Sequence, residues 1–230
     1  MRQNQDAEHE ARAIRHLSEL ASSSNEPLSW FEELYSLANR DDSWIPWSDG
    51  NPNPLVVDWI IGRPLGKALV VGCGLGEDAA FLSDRGWDVT AFDISQTAIE
   101  WAEEQHTGSN VKWIVADLLN PPVDWQQNFD LVLEVHILQA MPKGLREAAS
   151  HMLAPFVAPL GSMVCVGRLA TDKSEKNGPP WPLEISFVET IGQSIGPMDL
   201  HTTQYPNDDD SVIRYRAAWT MNTDSRDLAI

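Results

Sequence analysis

The apolar positions of this chain change their period partway along it. From Asp6 to Leu20, Ala7, Ala11, Ile14 and Leu17 recur three or four apart, which predicts an amphipathic helix. A polar, serine-rich break at Ser22 to Asn25 separates it from a second helix, expected from Ser29, read as its N-cap, to Ala38. Trp44 to Pro54 carries too many prolines for regular structure and reads as an ordered loop. Leu55 to Ile61 reads as a short helix behind Pro54. From Lys67 the pattern becomes one of buried strands and helices in turn. Strands are expected at Ala68–Val71, Asp88–Phe92, Val111–Val115, Leu131–Val135 and Met163–Gly167. Helices are expected from Gly76 to Arg85, where Gly86 ends the helix, from Ser95 to Gln105 and from Leu145 to Phe156. Continuous apolar strands alternating with helices indicate a parallel sheet covered on both faces. After a Pro-rich loop, Asn177 to Pro182, come a helix from Leu183 to Ile191 and two strands, Met198–Gln204 and Val212–Thr220, joined by the acidic loop Asn207–Asp210. These two strands extend the sheet, the last one antiparallel. The fold class is therefore α/β, with a mostly parallel seven-stranded sheet. Residues 1–54 form an N-terminal helical segment placed as a lid, 55–220 the α/β domain and 221–230 a loose polar tail.

Composition narrows the function classes. With 34 acidic against 16 basic residues, the net charge is −18. That field repels phosphate backbones and anionic lipid, so neither nucleic acid nor a membrane surface is expected as a partner. It serves solubility, and secondarily it would favour a cationic ligand. The 43% hydrophobic content supports a full core. The aromatic content is skewed to tryptophan, 10 Trp against 3 Tyr, so several indoles should line a core or a pocket. Cys73 and Cys165 stand far apart in no metal-type spacing, and His9, His16, His106, His151 and His201 are scattered, so no metal is expected. No apolar run is long enough to span a bilayer and no signal-peptide pattern opens the chain, which predicts a cytoplasmic protein.

Three segments carry candidate chemistry. Gly72-Cys73-Gly74-Leu75-Gly76 follows the first strand directly, where glycines let the backbone pass beneath a ligand and a helix N-terminus favours a negative group. Dinucleotide enzymes use Gly-x-Gly-x-x-Gly here. The earlier third glycine of this chain suits an amino-acid carboxylate better than a pyrophosphate. Asp93, followed by Ile94 at the end of the second strand, can accept from both hydroxyls of a ribose. Ser95 is the better N-cap for the next helix, which leaves Asp93 free for that role. After the third strand, Asp117 can take an adenine amino group while Leu118 packs on the ring.

Together these segments resemble the class I S-adenosylmethionine-dependent methyltransferases, and Phe129-Asp-Leu-Val-Leu completes the pattern. The resemblance implies a Rossmann-like methyltransferase fold with S-adenosyl-L-methionine as cofactor and S-adenosyl-L-homocysteine as product. It also implies that the end of strand four, Glu134, Val135 and His136, points at the reacting methyl group. A narrower likeness covers roughly Trp30 to Ile191. Pro46-Trp47-Ser-Asp-Gly50-Asn-Pro-Asn-Pro54 resembles the Pro-Trp-Asp-x-Gly-x-x-x-Pro signature of the halide/thiol methyltransferases, in the thiopurine methyltransferase superfamily, and Gly178-Pro-Pro-Trp181 resembles that family's Gly-Gly-Pro-Pro segment. In that family, tryptophans of the N-terminal segment close over the cofactor, which carries over to Trp47 and, more loosely, Trp30. Ser48 departs from the family's Asp, and Val135 and His136 stand where bulkier residues are usual.

The expected reaction is methyl transfer to a small-molecule acceptor, best a thiol or another sulfur, selenium or halide nucleophile. A thiol reacts as its thiolate, scarce at neutral pH, so a base helps, and His136 is the candidate by its ordinary pKa. Glu134 is read as holding the cofactor's amino group, Cys73 as packing in the glycine loop, and Arg168 as an acceptor-carboxylate ligand or a surface cation. The alternatives are a small-molecule N- or O-methyltransferase, a non-catalytic S-adenosylmethionine-binding protein and a nicotinamide oxidoreductase. The glycine spacing and Asp117 disfavour the last.

Overall fold

In the computed structural model of the chain, residues 16, 17, 19, 20, 26–172 and 179–221 are described. The helix expected from Asp6 to Leu20, apart from those four residues, lies outside the described residues, as do Asn177, Gly178 and the last nine positions. Strands β1 (Lys67–Val71), β2 (Asp88–Asp93), β3 (Lys112–Val115), β4 (Phe129–Val135), β5 (Val157–Leu169), β6 (Met198–Thr203) and β7 (Ile213–Thr220) form one sheet in the order β3-β2-β1-β4-β5-β7-β6. β1 to β5 pair in parallel, whereas β7 runs antiparallel to both β5 and β6.

Helices cover both faces because the inner strands are apolar on both sides. On one face α6 (Lys143–Leu153) and α7 (Ile185–Ile191) bury Ala149, Leu153, Val188 and Ile191 against Phe156, Met163, Tyr215 and Trp219. On the other face α2 (Pro54–Ile60) and α3 (Glu77–Asp84) bury Trp59, Ile60, Ala79 and Leu82 against Val70, Val89 and Leu133. A third cluster joins α1 (Ser29–Ala38) to α4 (Gln96–Gln105): Trp30, Phe31, Leu34 and Tyr35 pack with Leu75, Ala98 and Trp101. Polar contacts fasten the same pair of helices. Glu32 accepts from Ser95 Oγ at 2.6 Å and from the backbone N–H of Thr97 at 3.1 Å, at the start of α4. Arg40 grips Glu104 through two bonds of 2.9 Å. Helix α1 therefore shares a core with α4 of the α/β domain.

Several boundaries differ from the sequence reading, three of them through particular local contacts. Ser29 is the first helical residue of α1, not its cap; its hydroxyl donates to Glu26 O at 2.9 Å. β5 begins at Val157, six residues before Met163: Val157 pairs with Phe129, and an irregular stretch with Leu160 at φ +67° precedes the regular pairing from Ser162 onward. Leu183 is not helical, since it bridges to Leu169 with its N–H donating to Arg168 O at 2.9 Å.

Candidate cofactor and acceptor site

The carboxyl ends of β1, β2 and β4 open into one cleft, the place where ligands bind in α/β sheets. Its floor is the glycine loop. Gly72 has φ +56° and Gly74 φ +54°, the left-handed region that glycine adopts without steric cost. A Cβ on Gly72 would sit 2.4 Å from Ile137 Cδ1, and one on Gly74 would meet the Tyr35 hydroxyl at 3.0 Å. Asp93 ties this loop to β2. One carboxylate oxygen accepts from Gly74 N–H at 3.0 Å, the other from Ser95 N–H at 2.9 Å. Burial pushes its pKa up to about 6 against the pull of those hydrogen bonds.

The cleft has two halves. One is lined by Asp93, Ile94, Ala116, Asp117, Leu118 and Met141. The other is lined by Tyr35, Trp47, Cys73, Asp78, Val135 and His136. Phe31, Gly72, Asp93 and Ile137 border both. The halves enclose only about 30 and 50 Å³, against roughly 300–1,000 Å³ for typical ligand sites. A nucleoside-sized ligand therefore needs Phe31, Ile137 or the Trp47 loop to move aside. The cover over the second half is held by Trp47 Nε1, which donates to Tyr35 Oη at 3.0 Å. The Ser48 hydroxyl donates to the Glu77 carboxylate, and Asn53 N–H donates to Asp78 at 2.8 Å. An aspartate at position 48 would set one carboxylate against another, so Ser48 fits its partner Glu77. Burial pushes Asp78 up to about 7, with Glu77 and Asp49 adding repulsion.

His136 stands where β4 ends, at φ +65°, and its N–H donates to Val166 O at 3.0 Å. Its ring Nδ1 is 3.1 Å from Gln139 Oε1. Burial takes the imidazole down to about 4, helped by the positive charges of Arg168 and Arg214. The near-neutral pKa expected for it from sequence is thus absent, and the ring is uncharged at neutral pH. Glu134 is not brought to the cleft. It is 1% exposed and accepts from Leu138 N–H at 3.0 Å, supporting α5 (Ile137–Ala140) from below, and burial pushes it up to about 7. Trp30 is fully buried, stacked on Phe31 at 3.9 Å, so Phe31 is the aromatic that reaches the cleft. Cys73 lines the cleft with its thiol pushed well up by burial, a packing group and not a thiolate. Sequence reading missed Phe31, Tyr35, Glu77, Asp78, Ile137 and Gln139. Only the acidic pair directly after the glycine loop left a local signal.

The buried acids set a pH response. Asp78, Asp93 and Glu134 rise from ordinary values of 3.8, 3.8 and 4.5 to about 7, 6 and 7. Between those limits the folded chain holds more protons than the unfolded one, so their contribution to stability is lost as pH rises from about 4 to 7. His136, lowered from 6.5 to about 4, acts in the opposite sense over the same window. With three groups against one, urea unfolding of the free protein should show lower stability at pH 7.5 than at pH 5.5. Stability that rises across that interval would show that these carboxyls are solvated.

Comparison with known proteins accords with this cleft. Residues 68–161 match the family described as a methyltransferase domain. A thiocyanate methyltransferase 1 from Brassica oleracea is 29% identical over 160 residues, 68% of this chain and 70% of that protein. A probable thiol methyltransferase 2 from Arabidopsis thaliana is 27% identical, over 64% of this chain and 66% of that one. The magnesium protoporphyrin IX methyltransferase of Synechocystis PCC 6803, solved with bound SAM, superposes with a TM-score of 0.66. It is 15% identical and covers 87% of this chain and 99% of its own. Among the described residues no helix is long and apolar enough to cross a membrane.

Proposed function

We propose that this chain, a class I S-adenosylmethionine-dependent methyltransferase, transfers the methyl group to a small sulfur nucleophile. The observation that carries the sulfur assignment is the acceptor end of the cleft: Val135 and an uncharged His136, closed over by Tyr35 and Trp47. Sulfur asks little of such a site beyond alignment and removal of a proton. The likeness to proteins named for thiocyanate and thiol methylation supports the same reading.

The residues fit the cofactor. The backbone of Gly72, Cys73 and Gly74 would hold its amino-acid end, Asp93 would take the ribose hydroxyls, Asp117 the adenine amino group, and Ile94 and Leu118 would pack on the ring. Asp78 is better placed than Glu134 for the ammonium. Trp47 and Tyr35 exclude water. When bound, the cofactor supplies an electrophilic methyl on a sulfonium; the chain's part is to orient the acceptor and receive its proton. Incubation with labelled S-adenosylmethionine and a panel of thiols, thiocyanate, halides, phenols and heterocyclic amines tests the proposal. A thioether product is expected. Label on a phenol or amine alone would make this an O- or N-methyltransferase, and binding without any turnover would favour a cofactor-binding protein.

A further inference from the structure

Gln139 has hydrogen-bond partners that admit only one arrangement of hydrogens. It is 1% exposed on α5, with its carboxamide wedged against two backbone segments distant in sequence. Nε2 lies 2.9 Å from Arg168 O and 3.1 Å from Trp181 O, while Oε1 lies 2.7 Å from Arg168 N and 3.1 Å from His136 Nδ1. Backbone carbonyls only accept and a backbone N–H only donates. Turning the carboxamide over would set its NH₂ against the Arg168 N–H and its oxygen against two carbonyls, so its orientation is fixed. Oε1 therefore faces His136 as an acceptor, and Nδ1 must carry the ring hydrogen. An uncharged imidazole has one such hydrogen, so Nε2 is left with its lone pair. The same carboxamide blocks any side chain at Gly167, where a Cβ would meet Oε1 at 2.5 Å.

We propose that Gln139 is a positioning residue that locks His136 as the Nδ1–H tautomer, so that Nε2 meets the methyl acceptor as a hydrogen-bond acceptor. The site in consequence takes nucleophiles that carry a hydrogen, neutral thiols, in preference to anions such as thiocyanate or iodide. The inference rests on the methyl-transfer reading above. A lone pair attracts an S–H and repels an anion. Of the charges that reach the ring, Arg214 is held by Asp208 through two bonds of 2.7 Å, and Asp49 acts against the two arginines. As the acceptor sulfur forms its bond to the methyl carbon, the bond from that carbon to the sulfonium breaks with its electron pair staying on the departing sulfur. The S–H proton passes to Nε2 and then to water. The S–H grows more acidic as the new carbon–sulfur bond forms, so proton loss to Nε2 keeps pace with attack, the sulfur reacts with thiolate character, and a weak base suffices.

The test begins with imidazole ¹H–¹⁵N correlation spectra of the cofactor-free protein at pH 7, with the His136 signals identified by their loss in His136→Ala. The expected pattern is a protonated Nδ1 and a bare Nε2. Gln139→Glu, buried and protonated on the oxygen that faces the Arg168 and Trp181 carbonyls, keeps its other oxygen as an acceptor toward Nδ1 and should retain it. Gln139→Met should shift the ring toward Nε2–H and lower kcat for a thiol at least tenfold, with KM for S-adenosylmethionine within twofold. In the wild type, kcat/KM for a small thiol should exceed that for thiocyanate at least tenfold. A wild-type ring protonated on Nε2, an unshifted Gln139→Met or a preference for thiocyanate would each overturn the proposal. If Gln139→Met does not fold, the wild-type and Gln139→Glu spectra decide. Failure of the methylation reading shows separately, as absence of any methylated product beside an intact Nδ1–H signature.

Discussion

Asp93→Ala is expected to weaken S-adenosylmethionine binding by roughly ten- to a hundredfold in calorimetry, the loss of charge-assisted hydrogen bonds worth about 1.5–3 kcal/mol. The carboxylate is buried and holds the Gly74 and Ser95 N–H groups, and its remaining lone pairs are those the proposed ribose contact would use. The wild type adds a pH signature. Free Asp93 is held at about 6, and hydroxyl donors favour its ionised form, so binding releases a proton where the group is protonated. Affinity should therefore climb as pH rises toward 6 and level off above it, and the variant should lose that slope. An affinity unchanged in Asp93→Ala would remove the residue from the site.

Trp30→Ala should cost about 3–5 kcal/mol of folding stability, as emptying a fully buried indole site does. For a chain of this size that is a fall in Tm on the order of 10 °C. Trp30 packs behind Phe31 and Trp47 and makes no lining contact with the cleft. The affinity of the protein that remains folded should drop less than in Phe31→Ala. Thermal unfolding alongside calorimetry separates the two effects. A Trp30→Ala protein of normal stability that fails to bind the cofactor would reinstate the indole as a direct contact.

The glycine loop, Asp93 and Asp117 were readable because each is a local event, a turn directly after an apolar strand. The α/β alternation was readable for the same reason, since strands buried on both faces advertise themselves as continuous runs. The site beyond those turns depends on contacts between distant segments. Helical periodicity puts Trp30 and Phe31 on adjacent spokes of α1, and only packing against α4 decides which one reaches the cleft. His136 looks like an ordinary histidine until burial and two arginines far along the chain lower its basicity. Gln139 is one polar residue in an apolar stretch, and its partners are the backbones of Arg168 and Trp181, 29 and 42 positions away. Glu134 misled because the family resemblance points the end of strand four at the methyl group, whereas its carboxylate turns under α5.

Phe31 and Ile137, which border both halves of the cleft, bear on inhibitor chemistry. With only about 30 and 50 Å³ in the two halves, an adenosine-like fragment and a linked compound alike must displace one of these side chains, and each loses affinity by that work. Trimming the side chain in Ile137→Ala should therefore tighten both, the fragment as well as the linked compound.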